Sequence, residues 1–226
     1  MTRQLPLNLP HDPALGPEDF LVTEANRAAH ALVSRWPAWP APWVLLHGPA
    51  GCGKTHLAAI WARAADAVRC RPEALTTEAV PELAASGAAV LELAGDNPRV
   101  PEEAALFHLV NYTAEQGGSL LLTARTAPGG WRLGLRDLRT RVAAMPSAAI
   151  APPDDALLEG VLAKLFRDRQ LAAPPAVLNF LLMRMERSLD AARRLVAALD
   201  AASLAGRRRI TIPLASEVLD RYAANS

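Results

Sequence analysis

His47-Gly48-Pro49-Ala50-Gly51-Cys52-Gly53-Lys54-Thr55-His56 fits the pattern G-x-x-x-x-G-K-[ST], with Gly48, Gly53, Lys54 and Thr55 in the fixed positions. The apolar run Trp43-Val44-Leu45-Leu46 precedes it and reads as a short buried strand. Leu57-Ala58-Ala59-Ile60-Trp61-Ala62-Arg63 follows it and reads as a helix. Strand, glycine-rich loop and helix is the setting a phosphate-binding loop needs. The glycines let backbone N–H groups of Pro49's neighbours, Ala50, Gly51 and Cys52 converge on phosphate oxygens without a clashing Cβ. The helix N-terminus adds partial positive charge. Lys54 is expected to reach the outer phosphates and Thr55 to ligate Mg²⁺. The plain alternative is an accidental glycine-rich turn, against which all four fixed positions and both flanks argue.

The chain has 226 residues, 51% hydrophobic and 21% charged, ordinary values for a globular protein that holds one large domain or a domain plus a small one. A net charge of +1 gives no global electrostatic case for nucleic acid or membrane binding. The two cysteines, Cys52 and Cys70, show no metal-ligand spacing and are expected to be reduced thiols of a cytoplasmic protein. No apolar run approaches the ~18 residues of a membrane span. The N-terminus lacks the apolar core of a signal peptide.

Residues 1–17 are proline-rich and without helical periodicity, so an extended segment is expected. Within them Gln4-Leu5-Pro6-Leu7-Asn8-Leu9 sets Leu5, Leu7 and Leu9 on one face of an extended chain after a polar anchor, Gln4. Such a row either packs on its own domain or docks in an apolar groove of a partner. Residues 24–33 then read as an amphipathic helix, broken by Trp36-Pro37-Ala38-Trp39-Pro40. A strand is expected near 67–70, a helix near 78–85 and a second core strand at 87–93. That strand ends on Glu92, with Asp96 beyond it. They are the acids in reach of the phosphate loop, yet not the adjacent acidic pair a hydrolytic P-loop site usually carries. A helix at 102–111 and a third buried strand at 119–125 follow. Thr123, at that strand's C-terminal end, is expected to face the phosphate site. Residues 131–142 are dense in arginine, a solvated face or one directed at a phosphate or a partner. From 151 onward strand signals fade, and helices are expected from 154, from Pro174-Pro175, over 188–204 and over 214–222. Arg207-Arg208-Arg209 reads as a basic turn or short strand. The fold expected is α/β, a parallel-sheet P-loop core over 18–150 followed by a small all-α lid over 151–226.

This order of elements resembles the AAA+ ATPases, and within them the DnaA family with its short Hda-type regulators. Phe20 with Asn26-Arg27-Ala28 resembles the adenine-side element before the loop. Gly48–Thr55 is similar to the Walker A loop, followed by His56-Leu57 as in this branch. Residues 107–111 and Leu120–Arg125 resemble the helix and strand of sensor I, which gives Thr123 that role. Asp137-Leu138-Arg139-Thr140-Arg141 resembles the segment ending in the arginine finger, Arg141. Residues 154–158 and 164–170 resemble the start of the lid. Arg184-Met185-Glu186-Arg187-Ser188-Leu189 resembles the sensor II helix, with Arg187 its arginine.

The resemblance implies more than a fold. The chain ends soon after the lid, so the initiator's helix-turn-helix domain is expected to be absent, and Gln4–Leu9 looks like the peptide by which Hda-type proteins dock on the replicative sliding clamp, the beta subunit of DNA polymerase III. It implies binding of ADP or ATP with Mg²⁺, DNA reached indirectly through the clamp, and no membrane. Stimulated hydrolysis of the ATP on DnaA is implied, and self-association into a homo-oligomer stays open. Glu92 would then be a degenerate Walker B acid and hydrolysis by this chain weak. The competing expectation is a self-sufficient AAA+ ATPase, a replication loader or remodelling factor. A third is an accessory protein that recruits other factors through the same fold.

Overall fold

Apolar runs with no polar alternation become inner strands of a parallel sheet, because both of its faces are covered by helices. A computed structural model of the chain describes residues 16–93, Gly95 and 102–223; Gln4–Leu9 and Asp96 lie outside the described residues. Among the described residues five parallel strands, β1 (Trp43–His47), β2 (Val68–Cys70), β3 (Ala88–Glu92), β4 (Ser119–Ala124) and β5 (Ser147–Ala149), lie in the order β2-β3-β4-β1-β5. Val44–Leu46, Val90–Leu91 and Leu120–Leu122 are wholly buried.

β5 has no counterpart among the strands expected from sequence. Ser147-Ala148-Ala149 carries neither β-branched nor aromatic residues, and its extension comes from pairing: Leu45 lies opposite Ser147 and Leu46 opposite Ala148. The Ile150 N–H then donates to the His47 carbonyl at 2.7 Å. Tertiary pairing overrides weak intrinsic preference here.

Two apolar layers cover the sheet. On one face α1 (Arg27–Ser34) and α2 (Lys54–Ala64) bring Val33, Leu57 and Trp61 against Val44, Leu46 and Val90. On the other, α3 (Val80–Ala85), α4 (Glu103–Glu115) and α5 (Arg136–Ala143) pack Leu106, Leu109 and Leu138 on Leu45, Leu91 and Leu122. The first helix begins three residues later than the amphipathic pattern suggests, because Asn26 is spent bracing the turn before it.

A third cluster belongs to α6 (Asp155–Asp168), α7 (Pro175–Leu182), α8 (Leu189–Gly206) and α9 (Ile212–Ala223). Three of these begin on a local signal. Asp154 caps α6, its carboxylate accepting from the Leu157 N–H at 2.7 Å, and Ser188 caps α8 through the Ala191 N–H at 3.3 Å. Pro175 opens α7, where its missing N–H leaves no bond unmade. Arg207, in the left-handed region at φ 47°, ends α8, and Arg208 and Arg209 lie in the irregular connection to α9. Among the described residues no helix is long and apolar enough to cross a membrane.

Candidate nucleotide site

The parallel register brings the site residues together. Glu92 ends β3 directly opposite Thr123 of β4, and β4 lies beside β1, whose end runs into the loop. The Gly48 N–H donates to the Ala124 carbonyl at 3.2 Å, tying the loop's start to the neighbouring strand. A Cβ on Gly48 would lie 2.2 Å from the Ile150 carbonyl oxygen, so the strand end admits no side chain there. Gly53, at φ 108°, is the N-cap of α2.

Lys54 folds over the loop. Its ammonium donates to the Gly48 carbonyl at 2.8 Å and the Pro49 carbonyl at 2.7 Å, with Cys52 Sγ at 3.7 Å. The surroundings of that charge are kept neutral. Burial, above all, pushes the Cys52 thiol above its ordinary 9.0, and burial together with Lys54 holds the His47 imidazole below 6.5. Both cysteines are free and buried.

The Thr55 hydroxyl donates to Glu92 Oε2 at 2.6 Å. One hydroxyl beside one carboxylate is the kind of donor set Mg²⁺ takes next to phosphate oxygens, so the residues present fit that ion. The other oxygen of Glu92 carries a second partner that the sequence reading did not single out: the Arg69 guanidinium of β2, in an ion pair. Arg69 stands opposite Val90, two residues before Glu92, a relation set by the β2–β3 register. A cation on a strand flanking an acidic strand end was the available signal. Thr123 is buried beside Glu92.

The lid meets the loop at α8. The Leu189 N–H donates to the Gly51 carbonyl at 2.8 Å. Arg187, two residues away, is not brought onto the loop: its guanidinium pairs with Asp155 at 2.7 Å and reaches the Pro153 carbonyl at 3.4 Å.

Beside the loop the 16–26 segment closes a cavity of about 290 Å³ against α6 and α8, lined by Phe20, Asn26, His56, Leu157, Lys164 and Arg193 among others. Phe20 stacks on His30 and meets His56 edge-on at 5.3 Å. Asn26 is 2% exposed. Its amide accepts from the Thr23 N–H and donates to the Leu21 carbonyl, both at 2.9 Å, so it shapes the cavity wall. Lys164 ties the segment to the lid, bonding Asp19 at 2.7 Å and Asp168 at 2.5 Å.

Arg141 lies elsewhere. It is exposed on α5 with its guanidinium 5.9 Å from the Trp43 ring centroid and 6.0 Å from that of Phe107. Trp43 starts β1, and the loop follows its other end. Four strand steps separate the two, about 13 Å of rise. Glu103 fixes the start of α5 by accepting from the Gly134 N–H at 2.9 Å and the Leu135 N–H at 2.6 Å.

Residues 156–219 match the family model described as the Hda lid domain. The chain is similar in fold to domain III of the replication initiation protein DnaA from Thermotoga maritima, with a TM-score of 0.78 at 17% identity over 94% of this chain and 98% of that one. It is also similar to AMPPCP-bound DnaA from Aquifex aeolicus, with a TM-score of 0.67 at 17% identity over 86% of this chain and 68% of that one. Thermotoga maritima RuvB has a TM-score of 0.70 at 16% identity over 91% and 71%.

Proposed function

We propose that this chain, an AAA+ protein of DnaA-like fold carrying an Hda-type lid, is a nucleotide-bound regulator that stimulates a partner's ATP hydrolysis. The partner is the replication initiator DnaA, and the outcome is restraint of replication initiation. The observation that carries the reading is the placement of the phosphate loop and Arg141 at opposite ends of β1. An arginine there serves a nucleotide held by another molecule and not its own. An arginine supplied in trans stabilises charge on the transferring phosphoryl and is worth ~10³–10⁵ in rate.

The chain's own site then has a structural task. Lys54 and the loop N–H groups hold the phosphates of ADP or ATP, the cavity beside His56 takes the nucleoside end, and Thr55 faces Mg²⁺. Bound nucleotide supplies anionic charge at the junction of core and lid. The Leu189–Gly51 bond passes any shift of the loop to α8. The exposed Arg187–Asp155 pair is weak enough for a phosphate to compete for the guanidinium. Gln4, Leu5, Leu7 and Leu9 dock on the sliding clamp, which brings the chain to DNA.

The test is stimulation of DnaA-bound ATP hydrolysis in the presence of clamp loaded on DNA. Stimulation is expected from the native chain and not from Arg141→Ala, while Gln4→Ala loses clamp binding in a pull-down. Full stimulation by Arg141→Ala would sink the assignment. The second reading, a self-sufficient loader or remodelling ATPase, draws on the Thr55–Glu92 contact. It requires steady turnover by the isolated chain that disappears in Lys54→Ala.

A further inference from the structure

Glu92 is engaged on both oxygens. Oε2 accepts the Thr55 hydroxyl at 2.6 Å and Oε1 is paired with the Arg69 guanidinium. Thr55 and Glu92 form the donor set that fits Mg²⁺, and a monovalent cation, the Arg69 guanidinium, already stands on the carboxylate that a divalent ion would use. The arrangement is built by the sheet. Arg69 and Glu92 project from adjacent parallel strands, β2 and β3, whose pairing runs from Val68–Ala89 to Cys70–Leu91. Glu92 is only about a quarter exposed, at 27%, so screening by water is incomplete, while Arg69 at 45% keeps part of its hydration.

We propose that Arg69 is a built-in cation of the nucleotide site: it neutralises Glu92 and makes the binding of a nucleoside diphosphate nearly independent of Mg²⁺. The physical reason has two parts. A guanidinium bonded to a carboxylate repels a divalent cation brought within a few ångströms. It also leaves that carboxylate with less net charge to attract the ion. The same pairing withholds Glu92 from a water molecule, so the site retains nucleotide and hydrolyses it poorly. A chain whose task is to stay nucleotide-bound gains from both effects. The inference rests on the nucleotide-binding reading above and identifies a positioning residue for it, one that acts on the ligand through Glu92.

The experiment is titration of the full chain with ADP by calorimetry, once with Mg²⁺ and once with EDTA. The native chain is expected to change its ADP affinity by less than ~3-fold between the two conditions, and Arg69→Ala to bind ADP at least ~10-fold more tightly with Mg²⁺ than without. In Arg69→Ala combined with Glu92→Gln the dependence on Mg²⁺ should vanish again, because the carboxylate that gained the ion is gone. Arg69→Met, which keeps the apolar stem, repeats the measurement should the alanine variant melt early. Strong Mg²⁺ dependence in the native chain, or none in either Arg69 variant, overturns the role of Arg69 while leaving nucleotide binding in place. No ADP binding by the native chain in either condition overturns the nucleotide reading itself, and this inference with it.

Discussion

Gly51 of the phosphate loop and Ser188 of the lid are in contact: a Cβ on Gly51 would lie 2.1 Å from Ser188 Oγ. Gly51 also sits at φ 68°, in the left-handed region. Ser188 caps α8, so the loop bears on the first turn of the longest lid helix. Gly51→Ala therefore meets two penalties, a strained backbone of roughly 1–2 kcal/mol and a displaced helix start. Thermal melting should fall, and ADP affinity measured by calorimetry should drop by at least ~10-fold. Ser188→Gly in the same background relieves the steric part, and partial recovery of affinity is the expected result.

The 16–26 segment is held to the core by an uncharged histidine. His56 is 6% exposed, and its Nε2 lies 3.2 Å from the Gly16 carbonyl. Burial keeps its pKa below 6.5. The unfolded chain therefore takes up a proton at a higher pH than the folded one. Stability is undiminished above pH 6.5 and declines as the pH falls below it, the decline ending once the folded imidazole also protonates. Urea unfolding from pH 7.5 to 5 should show this slope, and His56→Gln should lessen it, leaving the share of His47, whose imidazole burial also holds below 6.5. An equal slope in that variant would assign the dependence to another group.

Lys164 of α6 ties the 16–26 segment to its own helix, bonding Asp19 on the one and Asp168 on the other, and lines the cavity beside them. Its hydrogen bonds to Asp168 and Asp19 raise its pKa above 10.5, and the bond to Lys164 lowers that of Asp19 below 3.8. The carboxylate's contribution is complete above pH 3.8 and is lost as the pH falls through its folded value. The ammonium's is complete below pH 10.5 and is lost as the pH rises through its own. The brace is thus whole at neutral pH. Lys164→Met should cost about 1–2 kcal/mol there, read as a lower urea midpoint at unchanged slope. No loss of stability would mean the brace is offset by its own desolvation.

Trp61 stacks on Trp39 at 4.9 Å and meets Trp36 edge-on, but its Nε1 is buried with no hydrogen-bond partner among the described residues. What it contributes is therefore ring area and not polarity. Trp61→Phe removes an unsatisfied N–H along with part of the ring, and should stay within about 1 kcal/mol of the native chain. Trp61→Ala empties the layer between α2 and the sheet and should cost about 3–5 kcal/mol. Comparable losses for both, in denaturant unfolding, would show that the indole N–H matters after all.

The local structure was legible in the sequence. Gly48–Thr55 between an apolar run and a helix announced the loop, because glycine at its turns and a lysine at its end have few other uses. Unbroken apolar stretches announced the inner strands, and the shift to helical spacing after residue 151 announced the lid helices. Contacts between strands were not legible, since they depend on register and neighbour order. Ser147–Ala149 becomes a strand only because β1 offers it an edge. Arg69 becomes a partner of Glu92 only because β2 lies beside β3. Arg187 rests on Asp155, and Ser188 and Leu189 meet Gly51 in its place, because the first turn of α8 is fixed by its cap and by packing of the lid core. Short-range preference writes the elements into the chain, whereas charge pairing across distant segments waits for the fold that brings them together.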